Sequence, residues 1–429
     1  MNNLFAIHTL GCKVNLFESN KICNDMLSNG FVKVDFNMYA DIYIINTCSV
    51  TGIADLKSKN YIKRPKKINP NAIVIVMGCY AQMNSNDALD LNVDIWIGNK
   101  YKNEIINLID EFLFSNKKIN RVENLQIEKE FENNSTQIFK NNTRAFIKIQ
   151  DGCNFMCSYC IIPFARGRQR SKKLKAIILE IKELLIQNYK EIVLTGVNTA
   201  GYLDKDNNDF FNLLLAISKI EGNFRIRISS IEPFQISDEI IDIITSDKLR
   251  FCQHWHICLQ SGSDRILNLM NRKYTSNEFL SLINKIKEKS INSTFTTDYI
   301  VGFPTETDED HNQSIKLLNE IGFLKIHIFP FSKRNNTKAA LLKEIDSHIK
   351  KQRVQEINEI NDKNFHRIVT KFIDKKLEII FEERDNNSLY QTGYSNEYIP
   401  VLYKVSKDVQ NQKLILIGNK ILNGKLLVS

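Results

Sequence analysis

The sequence predicts an α/β protein in three parts: an N-terminal open parallel α/β sheet, a central partial (β/α)6 barrel and a small C-terminal β-barrel. Three observations predict it. Strand-like and helix-like runs alternate over residues 1–116, and again over residues 143–366. Alternation of this kind builds parallel sheets covered by helices. From residue 369 to 429 the helical periodicity stops, and short strands separated by glycines take over. A chain of 429 residues with 43% hydrophobic residues is too long for one core and rich enough to bury several.

In the first region, residues 5–10, 41–46 and 72–77 are strand-like, and residues 15–29 are helical. Residues 117–142 are rich in Lys, Asn and Glu without periodicity, and read as a linker. In the second region six strands are expected, at 145–150, 191–195, 224–229, 254–260, 294–300 and 325–329. Helices at 173–187 and 275–289 lie between them, and a long charged helix at 341–366 closes or crosses the barrel. In the third region strands are expected at 377–381, 399–405, 413–417 and 425–428, with Gly393, Gly418 and Gly424 between or beside them. A small RNA-binding barrel fits this pattern, and so does a β appendage that only stabilises the chain.

The net charge of +9 suits a polyanionic partner, or equally a generally Lys-rich chain. No run of eighteen apolar residues is present, so no membrane span is expected. The N-terminus has no basic segment leading into an apolar one, so a cytoplasmic location is expected. In a reducing compartment nine cysteines read as metal ligands, catalytic thiols or core residues rather than disulfides.

Cys153-Asn-Phe-Met-Cys157-Ser-Tyr-Cys160 places three thiols within eight residues, directly after the first barrel strand. A short loop with this spacing caps three corners of a [4Fe–4S] cluster and leaves one iron open. Structural zinc is the rival, but it takes four closed ligands, usually from two separated pairs. The ends of later strands are polar and mostly carry glycine: Thr195-Gly196-Val197-Asn198, Ser229-Ser230-Ile231-Glu232-Pro233, Gln260-Ser261-Gly262-Ser263 and Val301-Gly302-Phe303-Pro304. On one barrel rim they make a cofactor pocket. Cys12, Cys48 and Cys79 each end a predicted strand of the first region, two of them directly after Gly11 and Gly78. Strand C-termini of a parallel sheet open on one edge, so a second cluster is favoured over three unrelated buried thiols. Cys23, Cys252 and Cys258 read as core residues, and His254 and His256, on one strand face, as structural histidines rather than metal ligands.

These residues resemble a known family. CxxxCxxC after a barrel strand is the signature of enzymes that cleave S-adenosylmethionine (SAM) to a radical. Thr9-Leu10-Gly11-Cys12-Lys13-Val14-Asn15 with Glu18-Ser19, Asn46-Thr47-Cys48-Ser49-Val50-Thr51 and Gly78-Cys79-Tyr80-Ala81-Gln82 look like the N-terminal domain of methylthiotransferases. The run from Gln150-Asp151-Gly152-Cys153 to Arg170-Ser171 is similar to the branch acting on N6-threonylcarbamoyladenosine at position 37 of tRNA. The C-terminal region resembles, more weakly, the RNA-binding TRAM module. Two departures stand out: Asn336 occupies a position where the family usually has glycine, and Leu203 follows Tyr202 where glycine is usual.

The resemblance implies a radical-SAM methylthiotransferase with two [4Fe–4S] clusters and SAM as cofactors. Cys153, Cys157 and Cys160 would hold one cluster and Cys12, Cys48 and Cys79 the other, which carries the sulfur to be transferred. Tyr159, Thr195, Gly196, Gln260 and Gly302 would line SAM. The partners implied are the tRNA anticodon stem-loop, gripped by the barrel mouth and the C-terminal domain, a flavodoxin- or ferredoxin-like electron donor, and a sulfur donor. Arg166, Arg168 and Arg170 follow the cluster loop and face either phosphates or solvent. The same framework also serves isopentenyladenosine-37 of tRNA or a ribosomal protein side chain. A non-enzymatic RNA-binding module leaves the six cysteines without a purpose.

Overall fold

A computed structural model describes residues 3–128, 130–131, 143–382, 384, 389–405 and 407–429. The chain divides into two compact units. One comprises Met1–Ile138, Asp151–Arg170 and Ser332–Ala340; the other comprises Phe139–Gln150, Ser171–Phe331 and Leu341–Ser429.

The first unit is built on a six-stranded, all-parallel sheet in the order β2-β1-β3-β4-β5-β6. Its strands are β1 (Leu4–Thr9), β2 (Val32–Lys33), β3 (Ile42–Thr47), β4 (Ile73–Gly78), β5 (Ile95–Ile97) and β6 (Ile119–Arg121). Every residue of β3 and β4 is buried, because helices cover both faces. Alternate side chains go to opposite sides. Ile42, Ile44, Ile73 and Ile75 pack with Ile22 and Met26 of α1 (Lys13–Ser28), while Tyr43, Ile45, Val74 and Val76 pack with Ile62, Tyr80 and Trp96. Residues 119–121, expected in a linker, form the edge strand of this sheet instead. Three residues are too few to show a period in sequence. Of the same expected linker, residues 129 and 132–142 lie outside the described residues.

The second unit carries the six expected parallel strands: Arg144–Lys148, Glu191–Thr195, Arg225–Ile228, His254–His256, Thr294–Val301 and Lys325–Pro330. They hydrogen-bond as two three-stranded sheets joined by the single bridges Ile226↔Phe251 and Ile231↔Ile257. Neighbours follow chain order, and the first and last strands share no ladder among the described residues. This is the partial (β/α)6 barrel. The helix Ser347–Thr370 lies along the last strand, where Asn361 Oδ1 accepts the Ile326 N–H at 2.7 Å.

The C-terminal region is a closed barrel of five strands, Lys376–Phe381, Tyr390–Ser395, Pro400–Lys404, Lys425–Val428 and Lys413–Leu422 in spatial order. Tyr390–Ser395 was missing from the sequence expectation because it is polar and contains Gly393. That glycine has a packing reason: a Cβ there would stand 2.6 Å from the Ile380 carbonyl oxygen.

The small barrel seals one end of the large one. Glu191, Arg144 and Arg225 are the first residues of three neighbouring barrel strands, and Glu191 and Arg225 are fully buried. Glu191 binds Arg225 at 2.7 Å, Arg227 at 2.8 Å and Arg144 at 3.2 Å. The same arginines donate outward to the small barrel: Arg225 to the carbonyls of Glu378 and Tyr394, Arg227 to that of Ser395, and Arg144 to the Glu382 carboxylate. The Arg227 guanidinium also lies 4.4 Å from the centre of the Tyr398 ring. Burial opposes the Glu191 charge, but Arg227, Arg225 and Arg144 hold its carboxyl well below its ordinary pKa. The small barrel therefore sits at the N-terminal ends of the strands. Thr195, Gln260 and Gly302 lie towards the opposite, C-terminal ends.

Candidate metal centre

All six candidate ligand cysteines belong to the first unit. The segment Asp151–Arg170, expected as part of the barrel, groups with the N-terminal sheet.

Cys12, Cys48 and Cys79 follow β1, β3 and β4, which are adjacent in the sheet. Gly11 has φ +99°, and a Cβ there would meet Cys48 Sγ at 2.8 Å. Gly78 has φ +100°, and a Cβ there would meet the Thr47 carbonyl at 2.4 Å. Both glycines thus let two chain segments close on one point. Burial, with Cys79 and Cys12 nearby, pushes the Cys48 thiol up to about 12. Cys48 and Cys79 are buried, whereas Cys12 is exposed at the N-cap of α1. The Ser58 hydroxyl brackets Cys48, accepting its N–H at 3.3 Å and donating to its carbonyl at 3.1 Å.

Cys153, Cys157 and Cys160 lie on a loop of intermediate exposure. The Cys160 N–H donates to the Cys157 carbonyl at 3.0 Å, and the Phe155 N–H points to Cys153 Sγ at 3.4 Å. The Cys153 N–H donates to the Gly167 carbonyl at 3.1 Å, which anchors the start of the loop. Tyr159 is half-buried on this loop. Soft thiolates in threes, with few hard donors among them, fit iron–sulfur clusters better than oxygen-loving cations.

Beside the N-terminal triplet lies a buried ion network that the sequence did not reveal. Arg166 is 1% exposed. It donates to Glu18 at 2.9 Å, to Asp151 at 3.0 Å and to Asn15 Oδ1 at 2.6 Å, and Lys102 pairs with Glu18. Burial opposes the Arg166 charge; Asp151 and Glu18, then Cys79 and Cys12, hold it protonated well above its ordinary range. Arg170 is also buried, donating to the Arg166 and Arg168 carbonyls and facing Asp151 at 3.7 Å. Of the three arginines, expected to face either phosphates or solvent, only Arg168 is exposed; Arg166 and Arg170 are buried on protein partners instead. One signal was available. Asn15, Glu18 and Ser19 sit at helical spacing with Ile22, on a face that is otherwise buried and apolar.

The rim residues belong to the second unit. Thr195 is buried at the end of its strand, and the Gly196 backbone approaches Gln150, whose Oε1 accepts the Asn198 N–H at 2.7 Å. Gln260 has φ +64° and bridges to Tyr299. Gly302 has φ +69° and donates to Glu306, itself paired with Arg353 at 2.7 Å. The two departures are accommodated locally. Asn336 takes φ +68°, which asparagine tolerates better than most side chains, and Leu203 is exposed on a bridge to Asp209.

Residues 147–318 match the radical SAM superfamily, and residues 4–98 match the uncharacterized protein family UPF0004. The chain is 38% identical to the threonylcarbamoyladenosine tRNA methylthiotransferase MtaB of Bacillus subtilis (strain 168), over 94% of this chain and 91% of that one. It is 37% identical to the protein of the same name from Aquifex aeolicus (strain VF5), over 96% and 99% of the two chains. Among solved structures, the radical SAM methyltransferase TsrM from Kitasatospora setae superposes with TM-score 0.57 at 12% identity, covering 79% of this chain and 75% of that one. That likeness concerns the fold alone. Among the described residues no helix is long and apolar enough to cross a membrane.

Proposed function

Because the chain belongs to the radical-SAM tRNA methylthiotransferases, in the threonylcarbamoyladenosine branch, we propose that it adds a methylthio group to C2 of N6-threonylcarbamoyladenosine at position 37 of tRNA. The observation that carries the mechanistic half is the convergence of Cys12, Cys48 and Cys79 at adjacent strand ends, within the unit that also holds Cys153, Cys157 and Cys160.

Radical-SAM family membership implies SAM and one [4Fe–4S] cluster, and Cys153, Cys157 and Cys160 are the residues that would hold it. Cys12, Cys48 and Cys79 would hold a second. When bound, the two clusters and SAM supply the electron, radical and sulfur chemistry that an unactivated C–H bond requires. The protein's part is positioning and charge. Gly11 leaves room for the Cys48 thiol, and Gly78 lets the chain before Cys79 lie against the Thr47 backbone. Arg166 places a desolvated positive charge beside ligands that must become thiolates. Tyr159, Thr195, Gly196, Gln260 and Gly302 are the residues proposed to contact SAM. Arg168 is the arginine of its run that remains for the anticodon stem-loop. A low-potential flavodoxin- or ferredoxin-like reductant and a sulfur donor complete the requirements.

The test is anaerobic reconstitution, with iron and acid-labile sulfide measured per chain. The wild type is expected to hold two [4Fe–4S] clusters, and the Cys153→Ala/Cys157→Ala/Cys160→Ala variant one. A wild type with one cluster and a variant with none would remove the N-terminal site. Nucleoside analysis of tRNA from a deletion strain tests the substrate: loss of the 2-methylthio derivative of threonylcarbamoyladenosine is expected, and unchanged tRNA would defeat the reading.

A further inference from the structure

We propose that His256, Cys258 and Asp298 form a divalent-cation site of the zinc type in the barrel, separate from the six cluster cysteines. The three side chains come from two neighbouring barrel segments, the run through His254–His256 and the strand Thr294–Val301. One donor atom from each lies within 4.8 Å of the other two. His256 Nε2 is 3.5 Å from Asp298 Oδ1, and Cys258 Sγ is 3.9 Å from Asp298 Oδ2. Zinc bonds of about 2.0–2.3 Å in tetrahedral geometry put neighbouring donors roughly 3.3–3.7 Å apart. The two separations from Asp298 lie in that range or within a few tenths of an ångström of it, and the His256 and Cys258 donors stand within 4.8 Å of each other.

The surroundings are those of a built ligand set. His256 Nδ1 is 2.8 Å from Thr296 Oγ1, and His254 Nε2 is 2.9 Å from the same hydroxyl. If His256 donates from Nδ1 and the hydroxyl passes its own proton towards His254, His256 Nε2 keeps its lone pair on the side facing Asp298. An orienting partner on the far nitrogen is what ligating histidines generally have. Cys258 is held from behind: its carbonyl accepts from Arg272 at 3.3 Å and from the Tyr274 hydroxyl at 2.8 Å. Cys258 is buried, while His256 and Asp298 are part-exposed at 14% and 28%, so an ion can reach them. His327 is the register partner of Asp298, and its ring centre lies 5.5 Å from that of His256.

The mixed nitrogen, sulfur and oxygen donors select a borderline cation such as Zn2+ over Mg2+ or Ca2+. Binding would expel the Cys258 thiol proton and form one bond from each of Nε2, Sγ and a carboxylate oxygen. Three protein ligands leave a fourth position for an oxygen donor.

The experiment uses the full chain after iron–sulfur reconstitution, so that the cluster cysteines are occupied. Zn2+ is titrated by calorimetry, and bound zinc and iron are counted by mass spectrometry. The wild type should take up one Zn2+ per chain. Cys258→Ala and Asp298→Asn should each weaken binding at least tenfold with iron content unchanged. Thr296→Val, which touches no ligand atom of the ion, should weaken it about tenfold. No zinc uptake by iron-loaded wild type, or uptake unchanged in both ligand variants, overturns the site and leaves an ordinary His–Asp pair.

Discussion

Two buried arginine networks, one in each unit, make an instructive pair. Arg166 in the first unit and Arg225 with Arg227 in the second are all nearly inaccessible. Each network meets carboxylates at close range, and each leaves a guanidinium nitrogen, Arg166 Nε and Arg227 Nη1, without a partner among the described residues. They differ in balance. Arg166 is joined by Lys102 and, at 3.7 Å, by Arg170 against Glu18 and Asp151. In the second unit Glu191 sits among three arginines, Arg144 and Arg225 also face Glu382 and Glu378 of the small barrel, and backbone carbonyls there take up further donors. The first arrangement keeps positive charge next to cysteines. The second uses its arginines to attach one domain to another. Buried ion pairs rarely add net stability over apolar packing, but removing one partner is costly because the other is left buried and charged.

The comparison can be broken at its most unbalanced point. Glu191→Ala takes the shared carboxylate from three guanidiniums at once and should destabilise the second unit by about 3–5 kcal/mol, read as a lowered midpoint in denaturant. Arg166→Ala should cost less, about 3 kcal/mol, because Lys102 still answers Glu18. Its distinguishing result is iron retention in the Cys153→Ala/Cys157→Ala/Cys160→Ala background. Loss of iron there ties the network to the N-terminal thiols, while full retention makes it purely structural.

Acid sharpens the contrast further. The Glu191 carboxyl is held well below its ordinary 4.5, so the unfolded chain takes up its proton first as pH falls. Its contribution is complete above about pH 4.5 and is lost as pH falls towards the folded value, steepening the decline by about 1.4 kcal/mol per pH unit. Glu191→Gln should remove that extra slope; an unchanged slope would mean that other carboxylates dominate. The smallest effect is expected at the surface. Arg168→Ala should lower the salt dependence of tRNA binding by about one unit of slope, with little change in stability. Arg170→Ala should not, because Arg170 is buried on carbonyls.

Much of the fold was legible because long segments repeat their period. All six barrel strands and the helices Leu174–Ile186 and Ser276–Lys289 fall where apolar periodicity placed them. Val32–Lys33, Ile95–Ile97 and Ile119–Arg121 were missed because two or three residues carry no period, and Tyr390–Ser395 because its inward positions are polar or glycine. The cysteines could be grouped from strand ends alone, since parallel topology dictates where those ends meet. The arginine run could not be assigned in the same way. Arg166, Arg168 and Arg170 look alike in sequence, and what separates them is Glu18 and Asp151, one of them 148 residues away. A charge pattern shows that cations exist and says nothing of which anion is folded against them.

The sealed end of the barrel also sets a timetable for synthesis. Arg227 meets the Ser395 carbonyl across 168 residues of chain. At about 5–20 residues per second, a ribosome needs roughly 10–30 s to make that interval. Throughout it, Arg225, Arg227 and Glu191 exist without the strands that complete their hydrogen bonding. The large barrel is therefore finished only once the small barrel's strands have been made, although its own strands emerge early. A ribosome stalled just before the final domain leaves behind a nascent protein with an open, strongly charged floor, the kind of species that a folding cell must shelter or destroy.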